Sequence, residues 1–124
     1  MTPEALRAWL DAYGRAWETR DPDAVIELFS PGGTYRETPF DEEMRGREAI
    51  RRYWRQIPGS QRDIEFRYEI EIVEPAVVRW WSAYTRIRDG QRVRLDGIFL
   101  LEFDGDGLCT QLREWWHADE TPAF

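Results

Sequence analysis

The sequence predicts a single α+β domain in which the helices come first and an antiparallel sheet follows. Apolar side chains recur at helical spacing up to about residue 57, whereas from Asp63 onward they alternate with polar ones at a period of two. Two glycine-containing turns, Asp89-Gly90 and residues 104–107, divide the second half into strands. A chain of 124 residues is one domain, long enough to bury a core or a core with a pocket in it.

Three helices are predicted in the first half of the chain. Thr2-Pro3 and Asp21-Pro22 each combine an N-cap residue with proline at the first helical position, so they predict two helix starts. The first helix runs to about Thr19, and the second is short. A short strand at residues 34–38 and a charged loop then lead to a third helix at residues 47–57.

Four strands are predicted in the second half, at residues 63–72, 76–88, 91–103 and 108–117. If Asp89-Gly90 is a two-residue hairpin turn, Arg88 lies opposite Gln91. If residues 104–107 form a four-residue turn, Phe103 lies opposite Leu108. The two hairpins agree on which residues share a face, and they place Glu114 opposite Gly97 on the inner face.

The composition excludes several classes of chemistry and partner. All 17 basic residues are arginine, so no lysine Schiff base can form. One His and one Cys cannot build a Cys/His zinc cluster within one chain, and we expect neither a metal nor another cofactor. The net charge of −7 argues against nucleic-acid and anionic-membrane partners. The first residues resemble no signal peptide, so we expect a cytoplasmic protein.

Two glutamates are the candidates for acid–base chemistry. Glu114 lies on the inner face, where a carboxylate is either paired, here with Arg86 or Arg113, or has a raised pKa and is partly protonated. Glu37 lies at the end of the short strand, where carboxylates are usually solvated. Both the structural ion pair and the functional interpretation stay open at this point.

The aromatic residues of the inner face form either a plain core or the wall of a pocket. Tyrosine and tryptophan need partners for their O–H and N–H groups, and a glycine leaves a gap among them, so we favour a wall around an apolar ligand. The residues expected to contact a ligand are Trp17, Tyr35, Tyr53, Trp54, Tyr68, Trp80, Ser82, Tyr84, Gly97, Phe99, Leu112 and Trp116.

Several motifs, together with the order of the elements, resemble one family over nearly the whole chain. The sequence resembles the SnoaL-like and ketosteroid-isomerase-like branch of the nuclear transport factor two superfamily. This resemblance implies a cone-shaped α+β fold, with three N-terminal helices packed in the concavity of a strongly curved antiparallel sheet and an internal pocket. The residues that carry it are Tyr13, Trp17 and residues 21–29, 35–40, 46–54 and 103–107.

The resemblance also implies roles for three positions. Tyr13 falls where ketosteroid isomerases keep the tyrosine of their oxyanion hole, and Glu37 falls at, or one residue from, their general-base aspartate. Phe99 stands where those enzymes place a protonated aspartate. Because loss of one oxyanion donor typically costs about a hundredfold or more, steroid isomerisation itself is not expected.

We therefore expect a cofactor-independent acid–base enzyme of isomerase, cyclase or dehydratase type that acts on an apolar metabolite. Glu114 or Glu37 would be the base or the acid, and Tyr13 would polarise a carbonyl or hydroxyl group. The alternatives are a non-catalytic protein that binds a small ligand in the same pocket and a dimerisation module, because one fold hosts many functions.

The outer face of the sheet is the expected interface of a homodimer. By the register above, Trp81, Ile98, Leu100 and Trp115 form a contiguous apolar strip on that face. The three helices can cover only the other face, so a second copy of the chain is the expected cover for this strip.

Overall fold

The computed structural model describes residues 1–121 and confirms the α+β architecture. The side chain of Thr2 accepts a hydrogen bond from the backbone N–H of Ala5 at 3.1 Å, and that of Asp21 accepts one from Ala24 at 3.0 Å. These two N-caps fix the starts of the first two helices. The helices in this part of the chain are α1 (Pro3–Glu18), α2 (Pro22–Ile26) and α3 (Arg47–Gln56), followed by a 3-10 turn (Pro58–Ser60).

The described strands form one sheet in the order β2-β1-β6-β5-β4-β3. Neighbouring strands are antiparallel except β1 and β6, which are parallel. The α1 helix packs on the inner face against β3, while α2 and α3 contact each other. The strands are β1 (Phe29–Arg36), β2 (Met44–Arg45), β3 (Gln61–Ile72), β4 (Ala76–Arg86), β5 (Arg92–Phe103) and β6 (Cys109–Thr121). The short β2 lies within the predicted charged loop.

The β4–β5 hairpin corrects the predicted register. Arg86 rather than Arg88 closes the hairpin, because its backbone N–H donates to the carbonyl of Gln91 at 2.8 Å. Gly90, with φ +70°, takes the left-handed conformation at the end of this longer loop, and Asp89 accepts hydrogen bonds from the Arg86 guanidinium. The pairing is therefore shifted by two residues, and a shift of two leaves every side chain on its predicted face.

The β5–β6 hairpin is shifted by one residue at its turn and by two beyond a β-bulge. Phe103 lies opposite Cys109, next to a β-bulge, and not opposite Leu108. As a result Glu114 lies opposite Phe99, and the prediction that it faces Gly97 was wrong.

Gly97 leaves no gap in the inner face. A Cβ atom at this position would lie 2.6 Å from Cε2 and Cζ2 of the Trp80 ring and 2.7 Å from the carbonyl oxygen of Trp115. Trp80 therefore occupies the space that the glycine opens, and its ring stacks on Phe99 at 5.1 Å between centroids.

The core is built around Tyr13, which is 1% exposed. Five neighbouring rings lie within 6.4 Å of the Tyr13 ring, centroid to centroid. Offset and edge-on ring pairs of this kind stabilise a core beyond the area that they bury. The five rings are those of Trp9, Trp17, Trp54, Phe66 and Phe99.

Candidate functional site

A cavity of about 70 Å³ lies between the helices and the inner face of the sheet. Most of its wall consists of tyrosine and tryptophan side chains. Ile57, just beyond the end of α3, also lines the cavity and is 40% exposed, so the cavity lies near the surface there. It is smaller than the cavities of about 150 Å³ that hold a benzene ring. The lining residues are Tyr13, Trp17, Tyr35, Glu37, Tyr53, Trp54, Ile57, Pro58, Gln61, Trp80, Tyr84, Leu95, Glu114 and Trp116.

A hydrogen-bonded chain of three side chains forms one part of this wall. The hydroxyl groups of Tyr13 on α1 and Tyr35 on β1 are 2.9 Å apart, and the Tyr35 hydroxyl lies 3.2 Å from Oε1 of Glu114 on β6. The parallel pairing of β1 with β6 places Tyr35 beside Leu112, two residues from Glu114 on the same face of β6. The contact therefore depends on strands that are far apart in the sequence.

Glu114 is a buried acid with no cationic partner among the described residues. It is 5% exposed, and neither Arg86 nor Arg113 contacts it. Burial raises the pKa of this carboxyl well above its ordinary value; the nearby Glu37 raises it further, and the hydrogen bond from Tyr35 opposes the shift. Burial also raises the pKa of both Tyr13 and Tyr35, so their hydroxyl groups keep their protons.

Glu37 follows β1 directly and is a partly buried residue of the cavity wall. Partial burial raises the pKa of its carboxyl, while a hydrogen bond from Tyr53 opposes the shift and the neighbouring Asp41 adds to it. The indole N–H of Trp116 donates to the backbone carbonyl of Glu37 at 3.0 Å and so holds this end of the strand in place. Glu37 and Glu114 thus line the same cavity from two parallel strands.

Two donors in the wall are unsatisfied. The indole nitrogens of Trp54 and Trp80 are buried and have no hydrogen-bond partner among the described residues. By contrast, the Trp17 indole donates to Oε1 of Gln61 at 2.7 Å. A buried donor without a partner costs free energy, so these two N–H groups lower the stability of the wall.

Five of the residues expected to contact a ligand do not line the cavity. Phe66 on β3 is the cross-strand partner of Ser82 and packs against Gly14 of α1, and the Tyr68 hydroxyl donates a hydrogen bond to Asp11 at 2.8 Å. Phe99 is covered by the Trp80 ring. The residues that the cavity excludes, for these reasons or because they lie deeper in the core, are Tyr68, Ser82, Gly97, Phe99 and Leu112.

Four residues that line the cavity were not predicted from the sequence, and Gln61 is the most informative of them. Gln61 is 4% exposed and begins β3, two residues before the strand that the alternation pattern predicts. A polar residue after the Pro58-Gly59 break is typical of a loop, so no local signal marked it as buried. The other three are Ile57, Pro58 and Leu95.

Residues 1–121 contain neither a metal-binding cluster nor a membrane-spanning helix. No three His, Cys, Asp or Glu side chains there are grouped so that they could hold a metal ion. No helix of that same part is long and apolar enough to span a membrane.

The chain belongs to the SnoaL-like domain family, because the family model matches residues 6–112. No curated protein matches the sequence. This family assignment and the helix–sheet arrangement confirm the resemblance to the SnoaL-like branch of the superfamily.

Solved structures with the same fold are numerous, and three of them illustrate the range. Similar structures include the epoxide hydrolase/cyclase-like enzyme SalBIII, with a role in pyran ring formation in the polyether salinomycin (19% identity, TM-score 0.80, 94% of this chain and 95% of that chain). Another is the Delta 5-3-ketosteroid isomerase from Mycobacterium sp. (18%, 0.79, 94% and 98%). A third is RV0760c from Mycobacterium tuberculosis (12%, 0.84, 98% and 99%). At these identities the likeness establishes the fold alone.

Proposed function

We propose that this protein is a cofactor-independent acid–base enzyme that transfers protons within a small, largely apolar metabolite. The observation that carries the proposal is that Glu37 and Glu114 line one cavity in unlike environments. Glu114 is fully buried without a cationic partner in the described part of the chain, whereas Glu37 is only partly buried. In many enzymes, unlike surroundings separate the pKa values of two titratable groups, so that one acts as the acid and the other as the base.

Glu37 is the base in this proposal, and Glu114 is the acid. The Tyr53 hydrogen bond and the partial exposure of Glu37 favour its ionised form, so it can accept a proton from carbon. Deep burial favours the protonated form of Glu114, which can donate a hydrogen bond to a substrate oxygen.

The Tyr13–Tyr35–Glu114 chain can donate a hydrogen bond to a substrate only when Glu114 is protonated. With Glu114 ionised, the hydroxyl protons of Tyr13 and Tyr35 are both used, since Tyr13 donates to Tyr35 and Tyr35 to the carboxylate. With Glu114 protonated, the chain holds one more proton than it has internal hydrogen bonds. That proton is available for the substrate, from Tyr13 or from the carboxyl group itself.

The position of Glu114 bears on the departure from the ketosteroid-isomerase pattern at Phe99. Glu114 is the direct cross-strand partner of Phe99 in the β5–β6 hairpin. A buried carboxyl group is therefore present beside the position where those isomerases keep an acid, but it comes from the next strand. This supports proton transfer as the reaction class. It does not require that the substrate is a steroid.

A small ketone tests the proposal without knowledge of the natural substrate. The test molecule is 4-penten-2-one, a small unbranched ketone. Glu37 would remove a proton from C3, the oxygen would accept a hydrogen bond from the Tyr13–Tyr35–Glu114 chain, and the proton would return at C5 to give 3-penten-2-one. In D2O, NMR measures deuterium exchange at C3, and ultraviolet absorbance measures the conjugated product.

The expected result is catalysis of both exchange and isomerisation by the wild-type protein. Glu37→Gln should lower the rate by about a hundredfold or more, because it removes the base, and Glu114→Gln by about tenfold or more. Glu102→Gln, an exposed glutamate on β5, is the matched control and should leave the rate unchanged. Equal rates for wild type and Glu37→Gln would contradict the proposal and favour the non-catalytic ligand-binding function.

We also propose that the outer face of the sheet pairs with a second copy of the chain. Ile98 is 45% and Trp115 40% exposed there, and the Arg79 guanidinium lies 4.7 Å from the centre of the Trp81 ring. Exposed tryptophan and arginine together are typical of interfaces. Wild type should sediment as a dimer, and Trp81→Glu as a folded monomer. A monomeric wild type at micromolar concentration would contradict this.

A further inference from the structure

The charge inventory of the cavity points to the class of its ligand. The cavity is lined by two carboxyl groups, Glu37 and Glu114, and by no arginine or histidine. Within residues 1–121 neither carboxyl group lies within 4.0 Å of any cationic side chain. This contrasts with the protein as a whole, whose 17 arginines are paired with acidic groups at many points on the surface. The wall therefore holds no positive charge that could neutralise the ionised Glu37.

We propose that the ligand of this cavity carries an alkylammonium group. This inference rests on the proposed function for the choice of cavity and names the class of molecule that enters it. Tyrosine and tryptophan side chains make up most of the wall, and aromatic surfaces attract organic cations through the negative charge of their ring faces. Aromatic walls combined with a carboxylate are the chemistry by which proteins recognise substituted ammonium ions.

The size of the cavity agrees with a small cation. About 70 Å³ is too little for a fused ring system without movement of the wall, but it accepts an ammonium nitrogen with two or three methyl groups. Ile57 is 40% exposed where it borders the cavity, so the remainder of a longer molecule can extend toward solvent. Glu37, the more accessible carboxylate, is then the counter-ion of the ammonium group.

Two molecules of equal shape test the charge directly. Choline and 3,3-dimethylbutan-1-ol differ only in that a quaternary carbon replaces the ammonium nitrogen. Titration calorimetry with each should give a dissociation constant at least about tenfold lower for choline, from the cation–π attraction and the carboxylate. Equal binding of the two, or tighter binding of the neutral alcohol, would overturn the inference.

Variants then locate the binding. Glu37→Gln should remove most of the preference for choline over the neutral alcohol, because it keeps the shape of the side chain and removes its charge. Trp54→Phe makes the aromatic wall smaller as well as removing the N–H group, and it should weaken choline more than the neutral alcohol. Glu102→Gln, outside the cavity, should change neither. Loss of the preference in Glu102→Gln, or its full retention in Glu37→Gln, would contradict the assignment to this cavity.

The outcome can be separated from that of the proposed enzyme activity. Binding is measured without turnover, and isomerisation of 4-penten-2-one is measured without a cation. Isomerisation that depends on Glu37, together with no preference for choline, would leave the enzyme proposal standing and overturn the ligand class. A preference for choline that depends on Glu37, without any isomerisation, would do the reverse.

Discussion

Acidic residues have opposite surroundings on the inner and outer faces of the sheet. Strand β6 shows this contrast, because its successive side chains point to the two faces in turn. Glu114 points inward and is 5% exposed, while its neighbour Trp115 points outward and is 40% exposed. On the outer face Asp96 pairs with Arg79 at 3.1 Å, and Asp119 pairs with Arg94. On the inner face the Tyr35 hydroxyl is the one hydrogen-bond partner of the Glu114 side chain within residues 1–121.

This difference follows from the access of water to each face. Exposed ion pairs on the outer face are screened by water and contribute little to stability. A carboxyl group on the inner face has lost its water and has gained no cation, so protonation is the way in which its charge is avoided. Acidic residues are therefore paired with arginine on the outer face, whereas on the inner face burial favours the protonated form of Glu114.

The largest effect is expected where the inner face is packed most tightly. Gly97→Ala would bring a Cβ atom to 2.6 Å from the Trp80 ring and 2.7 Å from a backbone oxygen. Because the backbone cannot move away freely, the free energy of unfolding should fall by about 3 kcal/mol in urea denaturation. Gly105→Ala, where nothing lies within 4 Å, is the control and should change stability by less than about 0.5 kcal/mol. Similar losses for both variants would contradict this account of Gly97.

A smaller effect is expected from removing the charge of Glu114. Its folded-state pKa lies above the ordinary value of 4.5, so its stabilising contribution is present below that pH and is lost as pH rises through the folded-state pKa. Glu114→Gln should match wild type in unfolding free energy near pH 4.5 and exceed it by about 1–3 kcal/mol at alkaline pH. A variant that is less stable than wild type at alkaline pH would show instead that the ionised carboxylate stabilises the fold.

The smallest effect is expected on the outer face. Asp96→Asn removes the partner of Arg79, but both side chains are about half exposed. The unfolding free energy should change by less than about 1 kcal/mol, and the change should shrink further in high salt. A loss as large as that of Gly97→Ala would remove the contrast between the two faces.

Local signals were sufficient for most of the fold. The N-caps Thr2 and Asp21 were readable from the sequence and confirmed, as was the alternation that assigns Glu114 to the inner face. The register was not readable, because Gly90 fits the end of a longer loop as well as a two-residue turn. Away from the turns each resulting error was two residues, and an even shift preserves the faces.

The candidate site was harder to predict than the fold. The sequence predicts three residues of the site, Glu37, Tyr13 and Glu114. Their common cavity, however, depends on the parallel pairing of β1 with β6, for which a sequence carries no local signal. The same holds for the hydrogen bond between Tyr35 and Glu114, 79 residues apart. The size of the cavity could not be foreseen either, because Trp80 fills the space above Gly97 only in the observed register.

The central claim is that Glu114 is the protonated acid and Glu37 the ionised base of one cavity. NMR titration of the glutamate side-chain carboxyl carbons, assigned with Glu114→Gln and Glu37→Gln, measures both groups in one experiment. The account predicts midpoints above 4.5 for both carboxyl groups, with the midpoint of Glu114 clearly the higher of the two. An ordinary or depressed midpoint for Glu114, or a midpoint for Glu37 above that of Glu114, would contradict it.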